Sequence, residues 1–288
     1  MRKPTKYASN NGIAVMSSTG AIAHHITIRN NDVANFSCGC VGTVGADYVT
    51  IENNRVDKCG WYSSYGGSGI SMLSSRNSDS STTGYRNIVR GNVATRSKNL
   101  VPCGCYGYRQ PTDGNGIIID SFVGTGYSGK TLIENNVVSD NGGRGIHVFK
   151  AGNVDVSFNT VVRNGTVAGT ADGEITAINA SNVRAWNNVI VALADRPTNS
   201  ASGSTGIDFN YNVVFGGNKP FNATGNTGNT VGVDPLFVNG SGNDKFRLGP
   251  GGRAIDAAGG TVAAPSSDAF GAPRPLGLRA DVGAVESR

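Results

Sequence analysis

The sequence predicts an all-β solenoid: a right-handed parallel β-helix with three strands per coil and a C-terminal capping segment. Three observations predict it. A strand–Asn-Asn–Val unit recurs along the chain, an apolar strand led by Gly recurs ahead of it, and the composition suits short strands joined by tight turns. Gly occurs 42 times and only 16% of residues are charged. Gly and Asn are poor helix formers, yet Val and Ile return at regular places, which argues against disorder.

The unit first reads Ile26-Thr-Ile-Arg-Asn-Asn-Asp-Val33 and returns as Val49-Thr-Ile-Glu-Asn-Asn-Arg-Val56 and Leu132-Ile-Glu-Asn-Asn-Val-Val138. Looser copies centre on Asn92, Asn159, Asn188 and Asn212. From Asn31 the spacings are 23, 38, 44, 23, 29 and 24 residues. The short spacings define one coil of the solenoid, and the long ones add insertions to it. Val and Ile at period two turn one face of each strand inward. Asn marks the turn, where it tolerates left-handed backbone and bonds to neighbouring main chain. Stacking would set these amides in a ladder at strand spacing, ~4.8 Å. One coil cannot bury its own apolar side, so several must stack.

The Gly-led strand appears as Gly69-Ile-Ser-Met, Gly116-Ile-Ile-Ile, Gly145-Ile-His-Val and Gly206-Ile-Asp-Phe, with Glu174-Ile-Thr-Ala replacing the Gly once. The helix is expected over residues 1–215, with a loop-rich cap over 216–288. A cap is physically needed, because an open last coil offers unpaired strand edges.

The net charge is +5, and no run of Lys or Arg exceeds two residues, so a nucleic-acid arm is not expected. A mild positive field suits an acidic polymer. No stretch is long and apolar enough to span a membrane. Met1-Arg2-Lys3-Pro4 starts no leader peptide, so upstream coils and a leader are expected to lie outside this sequence. Of the five cysteines, Cys38 and Cys59 are 21 residues apart, about one coil, which allows them to stack.

These repeats resemble the pectate-lyase-like right-handed β-helix superfamily over roughly residues 12–215. Val233-Asp-Pro-Leu-Phe237, Arg253-Ala-Ile-Asp256 and Asp281-Val-Gly-Ala-Val-Glu286 are similar to the tail of bacterial secreted β-helix proteins. The resemblance implies a cap over the last coil, a secreted or cell-surface location and active chemistry on the outer face of the Gly-led strands. A single-chain, monomeric protein is expected.

Long insertions mark function more often than a regular core does. Two precede Gly-led strands: residues 57–68, with Trp61, Tyr62 and Tyr65, and residues 96–115, with Tyr106, Tyr108, Arg109, Asp113 and Asn115. Their aromatic rings can stack on sugars while polar tips bond hydroxyls. Alternation turns Ile118, Asp120 and His147 outward, and Gly116 and Gly145 would leave a shallow floor beside them. The densest ionisable cluster is then Asp113, Asp120, Arg144, His147 and Lys150, with Asp172 and Glu174 one coil on.

That set suits β-elimination on a uronate polysaccharide. Arg144 would neutralise the sugar carboxylate, and Lys150 or His147 would take the proton beside it. Asp113, Asp120 and Asp172 would hold Ca²⁺, a metal the resemblance also implies. Substrate contacts fall to Trp61, Tyr65, Tyr106, Tyr108, Arg109 and Asn115. Two other readings stand beside the lyase: a glycoside hydrolase using Asp113 and Asp120 with Asp172 or Glu174, and a non-catalytic glycan-binding solenoid.

Overall fold

The computed structural model describes residues 9–104, 110–170, 172–219, 221, 227–238 and 240–287. It contains three parallel sheets, of seven, seven and eight strands. The first sheet stacks Ile13–Met16, Val41–Val44, Ile70–Leu73, Ile117–Asp120, Ile146–Phe149, Ile175–Ile178 and Asn199–Ser200. The second holds the strands that end in Asn-Asn, from His24–Arg29 to Thr205–Asn210. The third holds the short Val strands, from Asp32–Ala34 to Val213–Gly216, and ends in Thr230–Val231. Each coil passes once through each sheet, so the chain is a right-handed parallel β-helix. Gly206-Ile-Asp-Phe belongs to the second sheet, in Thr205–Asn210, and Asn199–Ser200 fills the first-sheet place on that coil.

Local chemistry explains the Asn-Asn pair. Its first member sits at positive φ, near 55–60°, in Asn30, Asn53, Asn135 and Asn187, and Gly91 takes the same slot on another coil. Asn and Gly enter this region at least cost. The second member builds the ladder. The Asn92 backbone N–H and Nδ2 both donate to Asn136 Oδ1, at 2.9 and 3.0 Å, and Asn136 donates in the same way to Asn159. Asn92, Asn136, Asn159, Asn188 and Asn212 are fully buried, and Asn229 accepts from Asn212 to carry the ladder one step further.

A second ladder runs inside the third turn, where the chain leaves the third sheet for the first. Ser97 N–H donates to Asn141 Oδ1, Asn141 donates twice to Asn164 Oδ1, and Asn164 donates twice to the carboxyl of Glu174. This ladder explains the Gly-led strands. A Cβ on Gly116 would lie 2.2 Å from Val138 Cγ1 and 2.8 Å from Asn141 Nδ2. A Cβ on Gly145 would meet Val161 and Asn164 as closely. Gly116 and Gly145 are therefore squeezed by the ladder and do not form the open floor expected of them. Glu174 replaces Gly on the next coil because its own side chain takes the ladder's last place.

The insertions divide between two corners. Residues 57–68 and 96–115 leave the third sheet, as expected. Residues 74–84 and 121–129 instead leave the first sheet and are pinned on Asp47. Its carboxylate accepts bonds from Arg86, from Ser78 N–H and Oγ, and from Tyr127 OH. Burial opposes the charge, but these bonds hold the Asp47 carboxyl below its ordinary range. The side chains of Arg86 and Asp47 have no exposed surface.

Cys40, not Cys38, is bonded to Cys59. Cys40 faces the core directly before the strand Val41–Val44, whereas Cys38 lies on the loop outside with a free thiol. The C-terminal segment packs on the helix as expected and reaches further than a cap over one coil. Its first part covers the last coil, where Asn229 ends the Asn ladder and Thr230–Val231 adds a strand to the third sheet, and the rest lies along the outer face of the third sheet. Phe246, Ala284 and Val285 pack on Val137 and Val162, while Leu248, Ala254 and Val282 pack on Val189 and Val213. Ala284 N–H donates to Thr160 Oγ1, and a buried Arg274–Glu286 pair at 2.8 Å ties the segment to itself. At the last coil, Phe221 packs edge-on against Phe209.

Candidate functional site

The outer face of the first sheet presents two columns of side chains. Pairing places Ser71, Ile118, His147 and Thr176 in one, and Leu73, Asp120, Phe149 and Ile178 in the other. The outward register expected for Ile118, Asp120 and His147 is therefore present. Asp120 and His147 stand in different columns, and the in-register neighbours of Asp120 are Leu73 and Phe149. That apolar setting raises its pKa by desolvation; a bond from Ser121 Oγ and the charge of Lys150 oppose the rise, while the Asp113 charge adds to it.

Asp113 reaches this face from the third-turn loop. It accepts from Thr112 Oγ1 at 2.7 Å and Asn115 Nδ2 at 3.3 Å, and its side chain lies on Gly66. Burial raises its pKa too, against the pull of Thr112, Arg144 and Asn115. Burial thus raises the proton affinity of both carboxyls.

His147 is almost wholly buried. Its Nδ1 is 2.6 Å from Thr176 Oγ1, and its ring stacks on Phe149 with centroids 5.5 Å apart. Burial first, and then the nearby Arg144 charge, lower its pKa well below the ordinary value, so the ring is neutral at neutral pH. Lys150 ends the same strand in left-handed backbone at φ 47°, with Nζ 5.0 Å from the centre of the Phe149 ring. It is exposed. Arg144 is committed to an ion pair with Asp172 and to the Thr112 carbonyl at 3.0 Å. Its Nε is buried without a partner among the described residues.

The remaining expected contacts scatter. Asn115 is fully buried and holds Ser68 Oγ, Asp113 and the Arg144 N–H, so it builds the floor of the loop and does not face a ligand. Trp61 lies in the other third-turn loop, its Nε1–H donating to the Arg96 carbonyl at 3.1 Å. Tyr65 is 71% exposed. Tyr106, Tyr108 and Arg109 lie outside the described residues. Glu174, weighed above as a hydrolytic carboxylate, closes the second ladder and is 1% exposed.

The expected Ca²⁺ set does not assemble. Among the described residues no group of three His, Cys, Asp or Glu side chains is placed to hold a metal. Asp172 is taken by Arg144, and Asp113 is bonded to Thr112 and Asn115. No described helix is long and apolar enough to cross a membrane. Phe36 and Lys58, which join Trp61 and Tyr62 around a pocket, were not among the expected residues. Lys58 was legible as the residue just after a third-sheet strand, a place Arg96 and Arg163 also occupy.

No family model matches the chain, and no curated protein does. Among solved structures it is similar to the A-modules of two Azotobacter vinelandii mannuronan C-5 epimerases. For AlgE6 the identity is 18%, the match covers 78% of this chain and 59% of that one, and the TM-score is 0.39. For AlgE4 the identity is 15%, the coverage 73% and 56%, and the TM-score 0.35. The match therefore spans less than two thirds of either module.

Proposed function

We propose that this chain acts on a uronate polysaccharide at the outer face of the first sheet, by β-elimination. The observation that carries the reading is the cluster on adjacent coils: two carboxyls whose proton affinity burial raises, a neutral imidazole and two cations. Elimination needs those parts. A base takes the proton on the carbon beside the sugar carboxylate, a cation steadies the charge that builds there, and an acid protonates the departing glycosidic oxygen as its bond to the ring breaks.

The geometry supports a revised division of roles. His147 is the base: with Nδ1–H donating to Thr176 Oγ1, the Nε2 lone pair is left to take the proton. Lys150, exposed and without a bonded carboxylate among the described residues, receives the sugar carboxylate. Arg144 is already paired and supplies fixed positive charge and position. Asp120, with Asp113 behind it, delivers the proton to the leaving oxygen.

The test is incubation with polygalacturonate, alginate and glycosaminoglycans in light and heavy water. Elimination yields an unsaturated uronate seen by its ultraviolet absorbance. His147→Ala and Lys150→Ala should each lower kcat/KM by roughly 10²-fold or more. New reducing ends without the chromophore would assign the reaction to hydrolysis by Asp113 and Asp120. Deuterium entering the ring without cleavage would assign it to epimerisation. Full activity in both variants would remove the site, and no product on any polymer would leave a glycan-binding solenoid.

A further inference from the structure

A pocket of about 170 Å³ opens where the first two coils leave the third sheet, lined by Asn35, Phe36, Ser37, Lys58, Trp61 and Tyr62. Three of these six residues, Phe36, Trp61 and Tyr62, are aromatic. The Trp61 ring is fixed by the bond from its Nε1–H to the Arg96 carbonyl, so the indole has no unmet polar demand of its own.

Lys58 is the lining's only charged side chain. It sits at the corner position that Arg96 and Arg163 occupy on later coils, and all three residues share left-handed backbone near 53–55°. Arg96 is paired with Asp57 and Arg163 with Asp140. Lys58 is half-buried and has no carboxylate partner among the described residues. The structure thus leaves one cation facing a pocket of flat rings, with no acid in the wall.

We infer that this pocket is a binding subsite for one carboxylate-bearing sugar ring. A pyranose presents apolar C–H faces that stack on Trp61, Tyr62 and Phe36, and its carboxylate supplies the anion Lys58 lacks. The inference extends the proposed function to a second contact on the same polymer. The loop that carries Trp61 also carries Gly66, which lies against the Asp113 carboxylate, so pocket and cluster are parts of one surface. They are separated by two to three coils, roughly 10–15 Å at strand spacing. The pocket would therefore hold a unit of the chain a few rings from the one being cleaved.

The experiment reads binding without turnover. The protein has two tryptophans, Trp61 and Trp186, so Trp186→Phe leaves Trp61 as the single indole reporter. Tetragalacturonate and tetramannuronate are titrated while Trp61 emission is followed, with methyl-esterified tetragalacturonate as the uncharged match. The expected result is a saturable change with an acid oligomer, at least tenfold weaker for the ester. Lys58→Gln should weaken acid binding about tenfold, with most of it restored in Lys58→Arg. Tyr62→Ala should weaken acid and ester alike. Equal affinity for acid and ester, unchanged acid binding in Lys58→Gln, or no response to either oligomer would overturn the inference. Because no turnover is needed, Trp61 binding with no elimination product would defeat the proposed reaction alone, while elimination without Trp61 binding would defeat the subsite alone.

Discussion

Replacing Glu174 by Gln should stabilise the protein, and by more at higher pH. The Glu174 carboxyl is 1% exposed and is the last rung of the second ladder, accepting Asn164 N–H at 2.9 Å and Asn164 Nδ2 at 2.5 Å. Burial pushes its pKa up from 4.5 to about 8, although the two Asn164 bonds pull the other way. Between those values the folded chain holds a proton that the unfolded chain has released, so stability falls as pH rises through that window. At 1.36 kcal/mol per pH unit the full penalty is on the order of 4–5 kcal/mol above pH 8 and vanishes below about pH 4.5. Gln keeps the shape, carries no charge and has one acceptor oxygen in place of two, on which both Asn164 donors would have to converge, as Asn141 N–H and Nδ2 converge on Asn164 Oδ1 one rung earlier. Urea unfolding of both proteins at pH 5, 7 and 9 reads the effect. The variant should match the parent within about 1 kcal/mol at pH 5 and exceed it by several at pH 9, a Tm gain of roughly 2 °C per kcal/mol. Parallel pH profiles, or a variant weaker than the parent at pH 9, would refute the account of Glu174 as a buried rung strained by its charge.

Asn136→Ala should cost roughly 3 kcal/mol or more in urea unfolding, since it strips buried donors and acceptors from two neighbouring rungs, whereas Asn53→Gly should stay within about 1 kcal/mol because Gly91 already fills that left-handed slot. Gly116→Ala should cost roughly 1–3 kcal/mol by forcing a methyl into Val138, while Gly124→Ala, with nothing within 4 Å of its new Cβ, should be silent in the same assay. Arg86→Met should cost about 3–5 kcal/mol by leaving Asp47 charged and unpaired, and adding Asp47→Asn should recover a large part of it, a coupling a double-mutant cycle measures.

The architecture was legible because the physics repeats. Asn-Asn marks a left-handed residue followed by a ladder residue, and the same two demands arise on coil after coil, so the sequence answers them alike. The second ladder was equally legible and went unread: Asn141 and Asn164 each follow a first-ladder Asn by five residues, and each is followed by Gly. Together they give the reason for the Gly-led strands. The lateral path of the C-terminal segment was not legible. Its apolar residues show that it must pack, but only the outward-facing Val137, Val189 and Val213 of the third sheet show where, and outward Val in a short strand looks in sequence like the core.

The site was half legible for a related reason. Register follows from alternation alone, so the outward placing of Asp120 and His147 could be read from residue order. Pairing between loops cannot be read that way. Arg144 and Asp172 find each other between the third turns of adjacent coils, and their union takes from Arg144 the free charge, and from Asp172 the free ligand, that each needed for its expected part. On the proposed reading the same contact leaves Lys150 for the substrate carboxylate, and among the described residues Lys58, unlike Arg96 and Arg163 at the equivalent positions, has no carboxylate partner. Where neighbouring coils pair their charges, as at Arg96–Asp57, Arg144–Asp172 and Arg163–Asp140, a cation without such a pair is one that an anionic polymer could engage. Lys58 and Lys150 meet that condition on the surface that carries the Asp113 loop, so on the proposed reading a bound polymer would run along the helix axis, across the coils rather than around them.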